Sequence, residues 1–161
     1  MIIALDMGGD CGVCLLHNGK YYHWTLNKVD NKNIVNKLCE FILKELWYLN
    51  LEEVDTVVTF LPNVFSGFFY QVLKKQFWLY WILDHHFNTV ILKESAANKD
   101  ILGRNKRRKK KGVKAETTKE WKQFTVDKIN ELWFDEKSHD SCDAIKAMLA
   151  YQKQLQDTLD S

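Results

Sequence analysis

The chain has 161 residues, of which 46 % are hydrophobic and 27 % charged, and its formal net charge is only +2. This length allows one domain with a substantial core, and the composition excludes a disordered or fibrous chain. No run of residues approaches the roughly 20 apolar positions of a membrane span, and the N-terminus lacks the basic and apolar regions of a signal peptide, so we expect an intracellular protein without membrane contact.

The first part of the chain predicts three strands joined as a meander. Residues 1–7 form an apolar run that only Asp6 interrupts, and two glycines follow it, which is typical of a buried strand and a tight turn. A second strand over residues 11–16 and a third over residues 21–26 flank the pair Asn18-Gly19, which favours a two-residue hairpin turn. We therefore expect these strands to be antiparallel neighbours.

The cysteines predict reduced thiols. Cys11 and Cys14 have the C-x-x-C spacing, but Cys39 and Cys142 form no second pair of that kind. Residues three apart on a strand face opposite sides of the sheet, so Cys11 and Cys14 cannot readily share a metal ion or a disulfide there. We expect buried, unmodified cysteines, as is usual for an intracellular protein.

The middle of the chain predicts two helices around a strand. Residues 31–50 have apolar side chains at helical spacing with a polar opposite face. Residues 54–61 are apolar and rich in β-branched side chains, which indicates a buried strand that Pro62 ends. Residues 65–87 (Phe65 to Phe87) contain nine aromatic residues and would form a helix that is apolar on two faces. Such a helix fits either a homodimer interface or a position enclosed within one domain.

The last part of the chain predicts a strand followed by helices. The strand covers residues 89–92, and a short helix over residues 96–102 follows it. Thr117 or Thr118 can cap the next helix, which would end near Trp133, and the final helix would cover residues 138–156. The alternation of strands and helices predicts a single α/β domain over residues 1–161, built on a five-stranded mixed sheet with helices on both faces.

Three aspartates are hard to explain by folding alone. Asp6 lies on a strand that is otherwise apolar, where a carboxylate is costly unless it is paired or metal-bound. Asp140 and Asp143 are three residues apart at the start of the last helix, so they share a face near the positive end of the helix dipole. If the first strand meets this helix, the three carboxylates could bind Mg²⁺ or Mn²⁺, and two such ions about 3.5–4 Å apart can catalyse phosphodiester hydrolysis. The alternative is that Asp6 is a turn residue and the other two are capping residues.

A basic loop over residues 103–114 indicates a contact with a polyanion. It contains eight basic residues and no acid, so the rest of the chain is net negative. Lysine and arginine bind phosphate groups without reading base sequence, so a nucleic acid backbone is one polyanion that suits this loop. The alternatives are a solvated surface loop or a localisation signal. The eight candidates are Arg104, Lys106, Arg107, Arg108, Lys109, Lys110, Lys111 and Lys114.

Three stretches resemble RuvC-like Holliday junction resolvases, which belong to the ribonuclease H-like superfamily. The opening IIALDMGGDCGVCLLHNGK resembles the family's first hairpin, GVKAETTKEW resembles its GKASKEE stretch, and HDSCDAIKAMLAY resembles its DAADALALA ending. The segments occur in the same order over about residues 1–152. The resemblance implies a ribonuclease H-like fold and a metal-dependent, structure-selective endonuclease for four-way DNA junctions. It also implies that Asp6, Asp140 and Asp143 are catalytic Mg²⁺ or Mn²⁺ ligands, that Lys114 contacts phosphate, and that the aromatic helix joins two subunits.

The chain departs from this family on the fourth strand. The family has a glutamate there, in stretches such as VYEEP or IEQVF, whereas this chain has VVTFLPNVF, with Phe60, Leu61 and Pro62 at the expected place. The alternative function is therefore an inactive or impaired relative that binds junctions without cutting them. Glu94, just after the fifth strand, is a candidate for the missing carboxylate. A third class, the sugar kinase and actin-like ATPases, needs two such domains and phosphate-binding turns, which this short, glycine-poor chain does not provide.

Overall fold

The computed structural model of the chain describes residues 1–7, 10–27, 36–37, 40, 54–60, 84–85, 87–106, 112 and 114–160. Its five strands form one sheet in the order β3-β2-β1-β4-β5. The first three strands are antiparallel, and β1, β4 and β5 run parallel to one another. The prediction of an α/β protein with a five-stranded mixed sheet is confirmed. The strands are β1 (Ile2–Met7), β2 (Cys11–His17), β3 (Lys20–Leu26), β4 (Thr56–Phe60) and β5 (Asn88–Leu92).

The turn between β2 and β3 has the predicted form. Asn18 and Gly19 both have positive φ angles, of 49° and 73°. This conformation matches the twist of the flanking strands, and asparagine and glycine adopt it at low cost. The hairpin therefore follows from the local sequence.

Three helices are described: α1 (Glu94–Leu102), α2 (Thr118–Asn130) and α3 (His139–Leu159). Thr117 caps α2 in a capping box with Glu120, as the sequence predicts. The prediction that α2 reaches Trp133 is wrong by three residues. The side chain of Asn130 instead binds the backbone of Glu136 through two hydrogen bonds of 2.8 and 2.9 Å, which turns the chain toward α3. Trp133 lies in this turn with a φ angle of 74°.

The described helices lie on one face of the sheet. Helix α3 packs on β1 and β2, while α1 and α2 pack against α3. Side chains alternate between the two faces of a strand, and Ala4, Cys14 and Val58 point into this helical layer. On the other face, Leu5 and Val13 are also fully buried. The central strands β1 and β2 are thus withdrawn from solvent on both faces.

Several predictions fall on residues that the structure leaves undescribed. They concern the helix over residues 31–50, of which residues 36, 37 and 40 are described as helical, the aromatic helix over residues 65–87, and the residues Cys39, Leu61 and Pro62. The homodimer through the aromatic helix therefore stays a prediction. Within the described ranges, no helix is long and apolar enough to span a membrane.

Candidate active site

Asp6 lies beneath the first turn of the last helix. In the β1–β2 pairing Asp6 is opposite Gly12, and the two positions share the face on which α3 packs. A Cβ atom at Gly12 would overlap the carbonyl group of Asp140 and crowd the amide of Ser141. The glycine therefore allows the helix backbone to approach the sheet at the level of Asp6, and this approach brings Asp140 to Asp6.

A row of hydroxyl groups fixes the start of α3 on the sheet. Thr25 on β3 pairs with Gly12, which itself pairs with Asp6, so the three residues lie side by side across the sheet. The Oγ1 atom of Thr25 lies 2.6 Å from Oγ of Ser138 and 2.8 Å from Oγ of Ser141. These two hydrogen bonds set the position of the helix N-terminus along the strand, and thereby the positions of the aspartates that follow.

Glu136 orients the chain that enters α3. Its carboxylate accepts hydrogen bonds from the backbone amides of Lys137 and Ser138, at 2.7 and 2.8 Å, and lies 2.8 Å from Nδ1 of His23 on β3. Although burial acts to raise the pKa of Glu136, the hydrogen bonds from Ser138, His23 and Lys137 hold it below its ordinary value. The carboxylate therefore stays ionised and makes charge-assisted hydrogen bonds on both sides.

The carboxyl group of Asp6 is strongly perturbed by its surroundings. Its pKa is raised to about 8, first because the group is buried and then because Asp143 repels its negative charge. Asp140 and Glu94 act in the same direction, and the positive charge of Lys146 opposes them. The carboxylates on α1 and α3 are thus close enough to Asp6 on β1 to repel its negative charge, and the four form a single site. A shift of this kind is frequent at functional sites.

Lys146 lies inside this acidic site. Its side chain is 0 % exposed, and its Nζ atom is 2.5 Å from Oδ1 of Asp143 and 3.6 Å from Oε1 of Glu94. The ring of Phe60 lies 5.1 Å from the same atom. A buried ammonium group is costly unless it is paired, so the carboxylates and the ring together make this position possible.

His139 contacts the other side of Asp143. Its Nδ1 atom lies 3.2 Å from Oδ2 of Asp143. Burial lowers the pKa of His139 below its ordinary value, against the opposing pull of Asp143. Oδ1 of Asp143 faces Lys146, whereas Oδ2 lies beside the His139 ring, whose two nitrogen atoms are buried without a hydrogen bond.

Phe60 occupies the position on β4 beside Asp6. The parallel pairing of β1 with β4 runs from Ile2 and Thr56 to Leu5 and Thr59, and one further step brings Phe60 next to Asp6. The fourth strand thus places an aromatic ring where the family resemblance implies a glutamate. Glu94, the first residue of α1 after β5, adds a carboxylate to the site from the next strand along the sheet.

The structure brings Asp6, Asp140, Asp143 and Glu94 together, but the ammonium group of Lys146 lies among them. Among the described residues, no three histidine, cysteine, aspartate or glutamate side chains are placed as a ready metal site. The donor chemistry fits Mg²⁺ or Mn²⁺, since these ions prefer carboxylate oxygens. Asp143, however, is paired with Lys146, which leaves Asp6 and Asp140 as the better-placed donors.

Sequence reasoning missed Lys146 as part of this site. The signal for Lys146 was available, because a lysine three residues after Asp143 stands on the face of α3 that is otherwise formed by Cys142, Ile145 and other apolar side chains. A lysine at such a position needs a buried partner.

The base of the basic loop is held by its own contacts. Arg104 donates two hydrogen bonds to Glu116, at 3.0 and 2.8 Å, and its guanidinium lies 3.8 Å from the ring centre of Phe124. Lys106 donates to the hydroxyl of Thr118 at 3.1 Å. Arg104 thus closes the loop, and Lys114 is exposed. Arg107, Arg108, Lys109, Lys110 and Lys111 lie outside the described residues.

The described cysteines are buried, free thiols, as the sequence predicts. Burial raises the pKa values of Cys11, Cys14 and Cys142 to about 12. We expect these three thiols to react with N-ethylmaleimide about a hundredfold or more slower in the native protein than in guanidinium chloride, because the thiolate is the reactive form. Peptide mass mapping gives the rate for each cysteine, and rapid labelling of Cys142 in the native state would contradict the burial.

The fold places this chain in the ribonuclease H-like class of α/β proteins. The structure is similar to RuvC of Thermus thermophilus, with a TM-score of 0.58 and 11 % sequence identity over 98 % of this chain and 96 % of that chain. It is also similar to T. thermophilus RuvC in complex with a Holliday junction substrate, with a TM-score of 0.61 and 10 % identity over 96 % and 94 % of the two chains. No protein-family model and no curated protein matches the sequence. At these identities the similarity establishes the fold.

Proposed function

We propose that this protein is a metal-dependent endonuclease that cuts branched DNA, with four-way junctions as its substrate. The observation that carries this proposal is the convergence of Asp6, Asp140, Asp143 and Glu94 on one part of a ribonuclease H-like sheet. The similarity to a RuvC structure that contains a Holliday junction substrate supports the choice of DNA.

Different residues of the chain have different roles in the proposed reaction. Asp6 and Asp140 would hold Mg²⁺ or Mn²⁺ through carboxylate oxygens. The bound ion would supply a Lewis acid that lowers the pKa of water and neutralises charge on the phosphate. Lys146 holds Asp143 in place through an ion pair. The basic loop beyond Arg104 would bind the DNA backbone, which suits recognition by shape rather than by base sequence.

Phe60 favours a second candidate function. It stands beside Asp6 where the family resemblance implies a metal-bridging glutamate, so the site lacks that carboxylate on the fourth strand. A protein of this kind would bind four-way junctions without cutting them. The two functions share the fold and the basic loop and differ only in hydrolysis.

The direct test is an assay of a labelled four-way junction with Mg²⁺ or Mn²⁺, in which binding and cutting are measured in parallel. We expect cutting, and we expect Glu94→Gln to slow it about 10- to 100-fold, because its carboxylate supports the other groups of the site. The matched control is Asp100→Asn, which removes an acid from the same helix near Lys153, and it should cut like the natural protein.

The outcomes separate the candidates. Tight junction binding without cutting in either metal would support the binding protein, and equal binding of linear duplex and junction would contradict both. If Glu94→Gln cuts at the natural rate, the glutamate has no part in the reaction.

A further inference from the structure

Lys146 places a fixed positive charge where a metal-binding site would hold a cation. It projects from α3 one turn after Asp143, and its Nζ atom lies between Asp143 Oδ1 at 2.5 Å and Glu94 Oε1 at 3.6 Å. The centre of the Phe60 ring lies 5.1 Å from the same Nζ atom. The ammonium group is completely enclosed and therefore cannot move to solvent without a rearrangement of these neighbours.

This charge makes Asp143 a poor ligand for an added cation. One of its oxygens faces Lys146 and the other faces His139, at 3.2 Å. A divalent ion bound there would have to displace Lys146 or lie within a few Å of it. Two positive charges this close repel each other, and the repulsion is twice as strong for a divalent ion as for a monovalent one.

The arrangement also differs from the family stretch in one informative way. In DAADALALA an alanine stands three residues after the second aspartate, whereas this chain has Lys146 at that position. On the fourth strand the chain has Phe60, an uncharged residue, beside Asp6. The site thus contains an internal cation, Lys146, and an aromatic ring, Phe60, where the resemblance implies an acid. Each difference reduces the net negative charge that could hold a second metal ion.

We propose that Lys146 takes the place of one of two divalent cations, so that the site binds a single Mg²⁺ or Mn²⁺, held by Asp6 and Asp140. The inference rests on the proposed function, because it takes this carboxylate site to be the metal site of a nuclease. The ammonium is the ion-pair partner of Asp143 and Glu94, and the divalent ion occupies the remaining part of the site.

The test is the stoichiometry of Mn²⁺ binding to the purified full chain by isothermal titration calorimetry. The natural protein should bind one Mn²⁺ in the site, and Lys146→Met should bind two, with the first ion bound about tenfold or more tightly than in the natural protein, because the repelling charge is gone. Lys153→Met is the matched control, since it removes a half-exposed lysine from the same helix, and it should bind one ion with unchanged affinity.

Electron paramagnetic resonance of Mn²⁺ on the natural protein, with a four-way junction present, decides the question even if Lys146→Met does not fold. The spectrum of an isolated Mn²⁺ supports the proposal, and that of an exchange-coupled Mn²⁺ pair overturns it. Two ions on the natural protein, or one ion with unchanged affinity on a folded Lys146→Met variant, also overturns it.

The junction assay separates this proposal from the function on which it rests. If the natural protein cuts junctions but binds a Mn²⁺ pair, the role of Lys146 is wrong and the nuclease assignment stands. If it binds one Mn²⁺ and cuts no branched DNA, the nuclease assignment is wrong and the single-ion site stands.

Discussion

Asp6→Asn is expected to abolish cutting of branched DNA while making the metal-free protein more stable. The loss of activity should be on the order of a thousandfold or more, because a metal ligand supports several kcal/mol of charge stabilisation in the transition state. Asparagine has the same shape, so the fold should be unchanged. Junction binding, which we propose depends on the basic loop, should stay close to that of the natural protein.

The stability gain follows from the raised pKa of Asp6. This pKa rises from 3.8 in the unfolded chain to about 8 in the folded protein, so between these values the folded state binds more protons than the unfolded state. The free energy of unfolding therefore falls as the pH rises through this window, and the penalty is complete above pH 8. Asparagine does not ionise, so Asp6→Asn should remove the penalty, which is on the order of a few kcal/mol.

Thermal unfolding of the metal-free protein at pH 5 and pH 9 measures this effect. From pH 5 to pH 9 the natural protein should lose more stability than Asp6→Asn does. Added Mn²⁺ should restore the lost stability only in the natural protein. Asp157→Asn is the control, because this exposed aspartate lies at the far end of α3. If Asp6→Asn lowers stability at pH 9, Asp6 is a structural residue with a favourable partner, and the interpretation of the site is wrong.

Gly12→Val is expected to inactivate the protein by moving the last helix. Any Cβ at this position overlaps the Asp140 carbonyl group, which is backbone and cannot rotate away. Overpacking of a core costs about 1–3 kcal/mol, and a clash with helix backbone belongs at the upper end of that range. The first turn of α3 must then rise from the sheet, which separates Asp140 from Asp6 and breaks the contacts of Thr25.

Val13→Ala distinguishes lost geometry from lost stability. Val13 is the next residue on β2, is fully buried, and points to the opposite face of the sheet. Its truncation should destabilise the protein by about 1–3 kcal/mol through a cavity without moving α3. Cutting per folded molecule at 25 °C should therefore be normal in Val13→Ala and lost in Gly12→Val. Equal activity in the two variants would show that Gly12 does not position the site.

Local patterns predicted the sheet well, because strands depend on nearby residues. The apolar run around Asp6, the pair Asn18-Gly19 and the apolar, β-branched stretch before Pro62 each have a local physical cause. The structure contains the first strand, the hairpin turn and the fourth strand over Thr56–Phe60. The end of α2 was missed because Asn130 is held by the backbone of Glu136, six residues away, which no propensity encodes.

The sequence by itself determined the candidate acids and their elements: Asp6 on a strand, Asp140 and Asp143 on one helix face, and Glu94 after the fifth strand. The tertiary structure decided how they meet. Gly12 and Thr25 set the depth and position of α3 on the sheet, and this packing encloses Lys146 among the carboxylates. The reason is physical, since the energy of a buried charge depends on partners within a few Å, and those partners come from segments more than 50 residues apart in the chain.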